Sequence, residues 1–121
     1  ICYDLRFPGL YRDLAKSGAE ILFVPSAFTF QTGKDHWHTL LRARAIETGS
    51  FVVAPAQNGV HENGRKTYGH SLVVNPWGKI IAEKKKGIGL LDFKIDLNEV
   101  RKARLKIPSL EGDQLYKVVN K

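Results

Sequence analysis

The chain has 121 residues, the length of one domain or part of one, and its 43% hydrophobic and 26% charged residues make it globular rather than disordered. Lys and Arg outnumber Asp and Glu by 19 to 12, for a formal net charge of +7. A single Cys excludes an internal disulfide, and with it a disulfide-stapled secreted scaffold, and no apolar run reaches the roughly 18–20 residues of a membrane span.

Met is absent and the first residue is Ile, so the chain is expected to be part of a longer one. A helix is predicted from Phe7-Pro8-Gly9-Leu10, because Pro suits the first helical position, with Leu10, Leu14 and Ala15 on its apolar face and Gly18 as its stop. Ile21-Leu22-Phe23-Val24, ended by Pro25, reads as a strand buried on both faces. A polar stretch from Ser26 to Asp35 follows. Trp37, Leu40, Leu41 and Ala45 then recur at helical spacing up to Gly49, and Phe51-Val52-Val53-Ala54 is a second buried strand ended by Pro55. Helix, strand, helix, strand with short connections predicts an α/β layer architecture.

Residues 57–67 are polar and read as a loop. His70 to Val74 and Lys79 to Glu83 read as strands joined by the turn Asn75-Pro76-Trp77-Gly78, and Leu90 to Ile95 as a third strand, together an antiparallel edge. Asp96 and Glu99 form a candidate capping box for a helix running to about Lys106, since Pro108 disfavours helix at Ile107. The tail from Ser109 to Lys121 is too poor in apolar residues to fold alone and is expected to dock elsewhere on the chain or on a partner subunit.

The basic residues fall in separate places: Arg42 and Arg44, then Lys84 to Lys86, then Arg101 to Lys106. The aromatics lie mostly apart from them, so a platform for stacking bases is missing, and a solvated basic face fits better than a nucleic-acid interface.

Cys2 precedes a helical segment. A strand-to-helix turn exposes a nucleophile and a helix N-terminus favours the thiolate, whereas a lone Cys is equally at home as a small buried hydrophobe. His36, His38, His61 and His70 each offer a base for a Cys–His couple, and spacing does not choose among them. No Cys-x-x-Cys or His-Glu-x-x-His spacing is present, so no metal site is expected, and no phosphate-binding Gly-rich loop occurs.

Cys2-Tyr3-Asp4-Leu5-Arg6-Phe7-Pro8 with Leu10-Tyr11-Arg12 closely resembles the nucleophile motif of the nitrilase superfamily, the carbon–nitrogen hydrolases. The resemblance continues in order through Val24-Pro25-Ser26-Ala27-Phe28, Thr32-Gly33, His36-Trp37, Leu41-Arg42-Ala43-Arg44-Ala45-Ile46-Glu47, Tyr68-Gly69-His70-Ser71 and Val74-Asn75-Pro76-Trp77-Gly78, so it covers essentially the whole chain. It is strongest to the branch holding deaminated glutathione amidase and omega-amidase.

The resemblance implies the C-terminal half of an αββα sandwich, with the N-terminal half missing, and a pairing of two copies into a homodimer. It implies a Glu–Lys–Cys catalytic set in which Cys2 is the nucleophile and Glu and Lys lie upstream, outside this chain, so that the chain alone is inactive. By the same resemblance the Tyr3 backbone N–H is an oxyanion donor, Arg6 binds a substrate carboxylate, and Phe28 and Thr32 line the pocket. His36 and Trp37 shape the same region, and Arg44 and Glu47 are structural partners. The implied reaction is hydrolysis of a small carboxylate-bearing amide through a Cys thioester, in the cytoplasm, with no cofactor, metal, nucleic acid or membrane. Two positions depart from the pattern: Gly9 stands where a Glu is usual, and Asn75 where several relatives carry Asp. The competing reading is a non-catalytic binding or scaffold module that kept the fold.

Overall fold

The computed structural model describes residues 1–119, so the last two residues of the expected tail lie outside it. After a single 3-10 turn at Tyr3–Arg6 come α1 (Pro8–Lys16), β1 (Ile21–Phe23), a helical turn α2 (Phe30–Thr32), a π-helical turn Gly33–Trp37 and α3 (His38–Thr48). Then follow β2 (Phe51–Ala54), β3 (Asn58–Val60), β4 (Lys66–Tyr68), β5 (Ser71–Val74), β6 (Ile80–Lys84) and α4 (Asn98–Lys106).

The main sheet has the order β1-β2-β5-β6. The β1–β2 pair is parallel, with Leu22 opposite Val52, while β2–β5 and β5–β6 are antiparallel. Period-2 alternation explains the core: Leu22, Val52, Ala54, Leu72 and Val74 face the helices and join Leu5, Tyr11, Trp37, Leu41 and Ala45 in one buried cluster. The Pro residues expected to end β1 and β2 follow those strands, and α1, α3, β1, β2, β5 and β6 lie where the apolar pattern puts them.

Several expectations need correction. The β1 strand is not buried on both faces, since it forms the sheet edge and Phe23 is 68% exposed. The buried face of α1 carries Tyr11 and Ala15, whereas Leu10 and Leu14 are partly exposed. Residues 57–67 are not simply a loop: β3 and β4 pair antiparallel through Gly59 and Thr67. The polar stretch after Ser26 winds into helix from Phe30 onward. Leu90 to Ile95 is not a strand; it runs without regular structure, with Leu90 exposed.

At α4 the Asp96 carboxylate accepts the Asn98 N–H at 2.9 Å, as a cap should, but Glu99 does not close the box. Its carboxylate accepts instead from the Asn75 amide at 3.2 Å, tying α4 to the β5–β6 turn. The tail starts to dock on α1: Arg12 donates to the Ser109 carbonyl at 2.7 Å and pairs with Asp113, which Lys16 also reaches at 2.6 Å. Among the described residues no helix is long and apolar enough to cross a membrane.

Candidate active site

Cys2 is in a strained backbone conformation, with φ 66° and ψ −78°. The Ile1 carbonyl accepts the Tyr3 N–H at 2.8 Å across it, closing a three-residue γ-turn of the rare positive-φ kind. Such a conformation costs a non-Gly residue about 1–3 kcal/mol and persists only where its surroundings hold it.

The hold comes from Leu5 and Arg44. Leu5 is fully buried, and its N–H donates to the Cys2 carbonyl at 3.2 Å. Its carbonyl accepts two N–H groups from the Arg44 guanidinium, Nε at 3.0 Å and Nη2 at 2.8 Å. Arg44 is itself buried; its third contact is with Glu47 at 2.8 Å, and its cationic plane lies 5.7 Å from the Tyr11 ring centre. The α3 helix therefore clamps the turn that follows Cys2, which is the structural role expected for Arg44 and Glu47.

Cys2 is partly buried against the core on one side, and on the other lines an open cavity of about 880 Å³. Ser26, Ala56, Asn58 and His61 share that cavity, and residues 87–91 close one side of it. The segment after Cys2 is a single 3-10 turn, and α1 starts at Pro8, where the sequence places it, so the thiol stands one short turn ahead of the α-helix.

Arg6 ends that turn. Its guanidinium lies 5.3 Å from the Phe28 ring centre and 5.8 Å from the Tyr3 ring centre, and Nη1 is 3.2 Å from His36 Nδ1. Arg6 and Phe28 are thus brought together, as the sequence reading pairs them. Phe28 is a core residue here, packed at a 47° tilt against the buried Trp37 with ring centres 4.9 Å apart, and Arg6 lies over its ring. The Thr32 hydroxyl is 2.6 Å from that of Thr29, within the helical turn that leads to His36. Arg6, Phe28 and Thr32 lie outside the wall of the cavity that Cys2 lines.

The four histidines are all engaged away from Cys2. His36 faces Arg6, His61 Nε2 is 2.9 Å from the Thr67 hydroxyl, and His38 and His70 both meet Glu83. Only His61 shares the cavity. The Glu83 contacts are the constellation that sequence spacing missed: the three side chains come from α3, the β4–β5 connection and β6, so no local motif announces them. Burial works to raise the Glu83 pKa, and the hydrogen bonds from His70 and His38 outweigh it, leaving the carboxyl below its ordinary value.

With this geometry in hand, residues 1–105 match the carbon–nitrogen hydrolase family. The chain belongs to that family. It is 55% identical over 108 residues to the human deaminated glutathione amidase, covering 89% of this chain and 33% of that protein. It superposes on the C. elegans NitFhit protein with a TM-score of 0.90 at 47% identity, over 93% of this chain and 27% of that one. A mutant of an amidase from Nesterenkonia sp., 30% identical with a TM-score of 0.69 over 88% of this chain and 41% of that one, shows acrylamide added at its active-site cysteine. The chain thus spans about a third of the human relative's length. The nitrilase-type α/β fold expected from the motifs is the fold observed.

Proposed function

We propose that this chain carries the nucleophile and part of the substrate site of an amidase acting on small amides that bear a carboxylate. The observation that carries the reading is Cys2 itself, held at positive φ by the Arg44–Leu5 clamp and lining an open cavity.

The Cys2 thiolate attacks the amide carbon. The electron pair of the C=O bond moves to oxygen, and the tetrahedral oxyanion needs aimed donors, each typically worth about 2.7–4 kcal/mol in the transition state. The Tyr3 N–H is one such donor. It is occupied by the Ile1 carbonyl in the free structure, so an oxyanion gains it only by displacing that carbonyl and opening the γ-turn. The thiol proton passes through a general base to the leaving nitrogen, ammonia departs, and a thioester remains. Water, deprotonated by the same base, then hydrolyses the thioester and regenerates the thiol.

The base and the second oxyanion donor are the Glu and Lys that the family resemblance puts in sequence outside these 121 residues, and the chain alone does not turn over. Arg6 has guanidinium N–H groups beyond the one that faces His36, and takes part in no ion pair among the described residues, which suits it to a substrate carboxylate. Phe28 backs the Arg6 plane, and Thr32 helps to shape the turn beside it. The reading requires no cofactor and has the enzyme as a cytoplasmic homodimer, working without nucleic acid or membrane. The exposed apolar side chains of Leu115, Tyr116 and Val118 on the tail favour such a partner surface.

The test is ammonia release from omega-amides of dicarboxylic acids by the full-length protein. Turnover that disappears in Cys2→Ala supports the reading. A folded full-length protein that releases no ammonia, and whose Cys2 resists iodoacetamide below pH 8, is instead the non-catalytic module.

A further inference from the structure

We infer that His38, His70 and Glu83 form a binding site for a borderline divalent transition cation, with Zn2+ as the representative ion. The inference stands apart from the amide chemistry and does not rest on it.

The geometry is convergent. His38 Nε2 lies 2.8 Å from Glu83 Oε1, and His70 Nδ1 lies 2.6 Å from the same oxygen. The three donor atoms all lie within 4.8 Å of one another. His38 comes from α3, Glu83 from β6 and His70 from the short connection between β4 and β5, so the fold brings together residues far apart in the chain. Two imidazoles and one carboxylate are a donor set that selects zinc and its neighbours over Mg2+ or Ca2+, which prefer all-oxygen shells.

The ring of His70 is fixed on several sides. Tyr68 stacks on it at 4.1 Å with an 18° interplanar angle, and the His38 ring packs edge-on at 5.1 Å. The His70 carbonyl accepts the Trp37 indole N–H at 2.8 Å, and its backbone is held at φ 57°. Glu83 is anchored in β6, two positions along from Ile81 on the same strand. The side chains are neither sealed nor free: His38 is 28% exposed, His70 18% and Glu83 22%. That exposure leaves room for water as a fourth ligand.

Charge also fits, since an ionised Glu83 carboxylate offsets one of the two positive charges of a divalent cation. Zinc bonds of about 2.0–2.1 Å put tetrahedral donors about 3.3 Å apart, so the contacts of 2.8 and 2.6 Å to Glu83 need to open by about 0.5 to 0.7 Å.

The experiment is equilibrium dialysis of the full-length protein, first stripped with a chelator, against submillimolar ZnCl2, with MgCl2 and CaCl2 in parallel. One zinc per chain is expected, with no retention of Mg2+ or Ca2+. Glu83→Gln and His38→Asn should each weaken zinc at least about tenfold, while His61→Asn, outside the cluster, leaves it unchanged. X-ray absorption on the zinc-loaded wild-type protein should show nitrogen and oxygen donors with imidazole scattering, which keeps the inference testable if a variant misfolds. Zinc that fails to bind, that binds equally to the Glu83 and His38 variants, or that shows a sulfur ligand from Cys2 overturns it.

Discussion

Two N–H groups of one buried arginine, Arg44, end on one carbonyl, that of Leu5, three residues after the strained Cys2. The planar fork of a guanidinium matches that carbonyl, and a lysine ammonium does not. Arg44→Ala leaves the Leu5 oxygen without its donors inside the core. Urea unfolding should show a loss of about 1–3 kcal/mol, with Arg44→Lys intermediate. Equal stability of the alanine variant and wild type would remove the clamp from the account.

Arg6 separates substrate binding from chemistry. If its guanidinium holds the substrate carboxylate in ground and transition states alike, Arg6→Ala should raise KM by roughly ten- to a hundredfold, the equivalent of about 1.5–3 kcal/mol, with kcat little changed. Steady-state kinetics on a dicarboxylic acid monoamide, measured with full-length protein, decide this. A fall in kcat at constant KM would give Arg6 a different task.

Two glycines make opposite predictions from one substitution. Gly9 lies in α1 with open space where a Cβ would be built, so Gly9→Ala should stabilise by about 0.5–1 kcal/mol. Gly33 is also helical, but a Cβ there would overlap the Tyr68 ring and its Cβ. Sterics outweigh the same propensity gain, and Gly33→Ala should destabilise by about 1–3 kcal/mol. Paired thermal melts check both.

The tail should respond to acid. The hydrogen bonds from Arg12 and then Lys16 lower the Asp113 pKa from 3.8 to about 2. A carboxyl depressed in the folded state holds the tail above its ordinary pKa and lets go as pH falls through the lowered one. Docking should therefore be complete above about pH 4 and lost toward pH 2. Asp113→Asn and high salt should release the tail at neutral pH, seen as faster amide exchange over residues 109–116 with little change in the global melt.

The parts of this fold that show in the sequence are those with a period or a stop. The runs Ile21–Val24 and Phe51–Ala54, each followed by a Pro, can be placed because both are unbroken apolar stretches with a stop, although only the second is buried along most of its length. The β3–β4 hairpin is hidden because its residues are polar and its strands short; Thr67 is buried by its partners rather than by its own hydrophobicity. Leu90 to Ile95 reads as a strand yet pairs with no strand among the described residues, which composition does not reveal. In the site, Cys2 and Arg6 lie in one continuous motif and are legible together. His38, His70 and Glu83 are separated by 32 and 13 residues, and only the fold brings them to one point.

The most direct test of the central claim traps the acyl group on Cys2. Full-length protein is mixed with an omega-amide of a dicarboxylic acid, quenched in acid within one turnover, digested and weighed. The account predicts that the peptide containing Cys2 gains the mass of the acyl group as a thioester labile to hydroxylamine. An unmodified Cys2 peptide, together with undiminished ammonia release by Cys2→Ala, would contradict it.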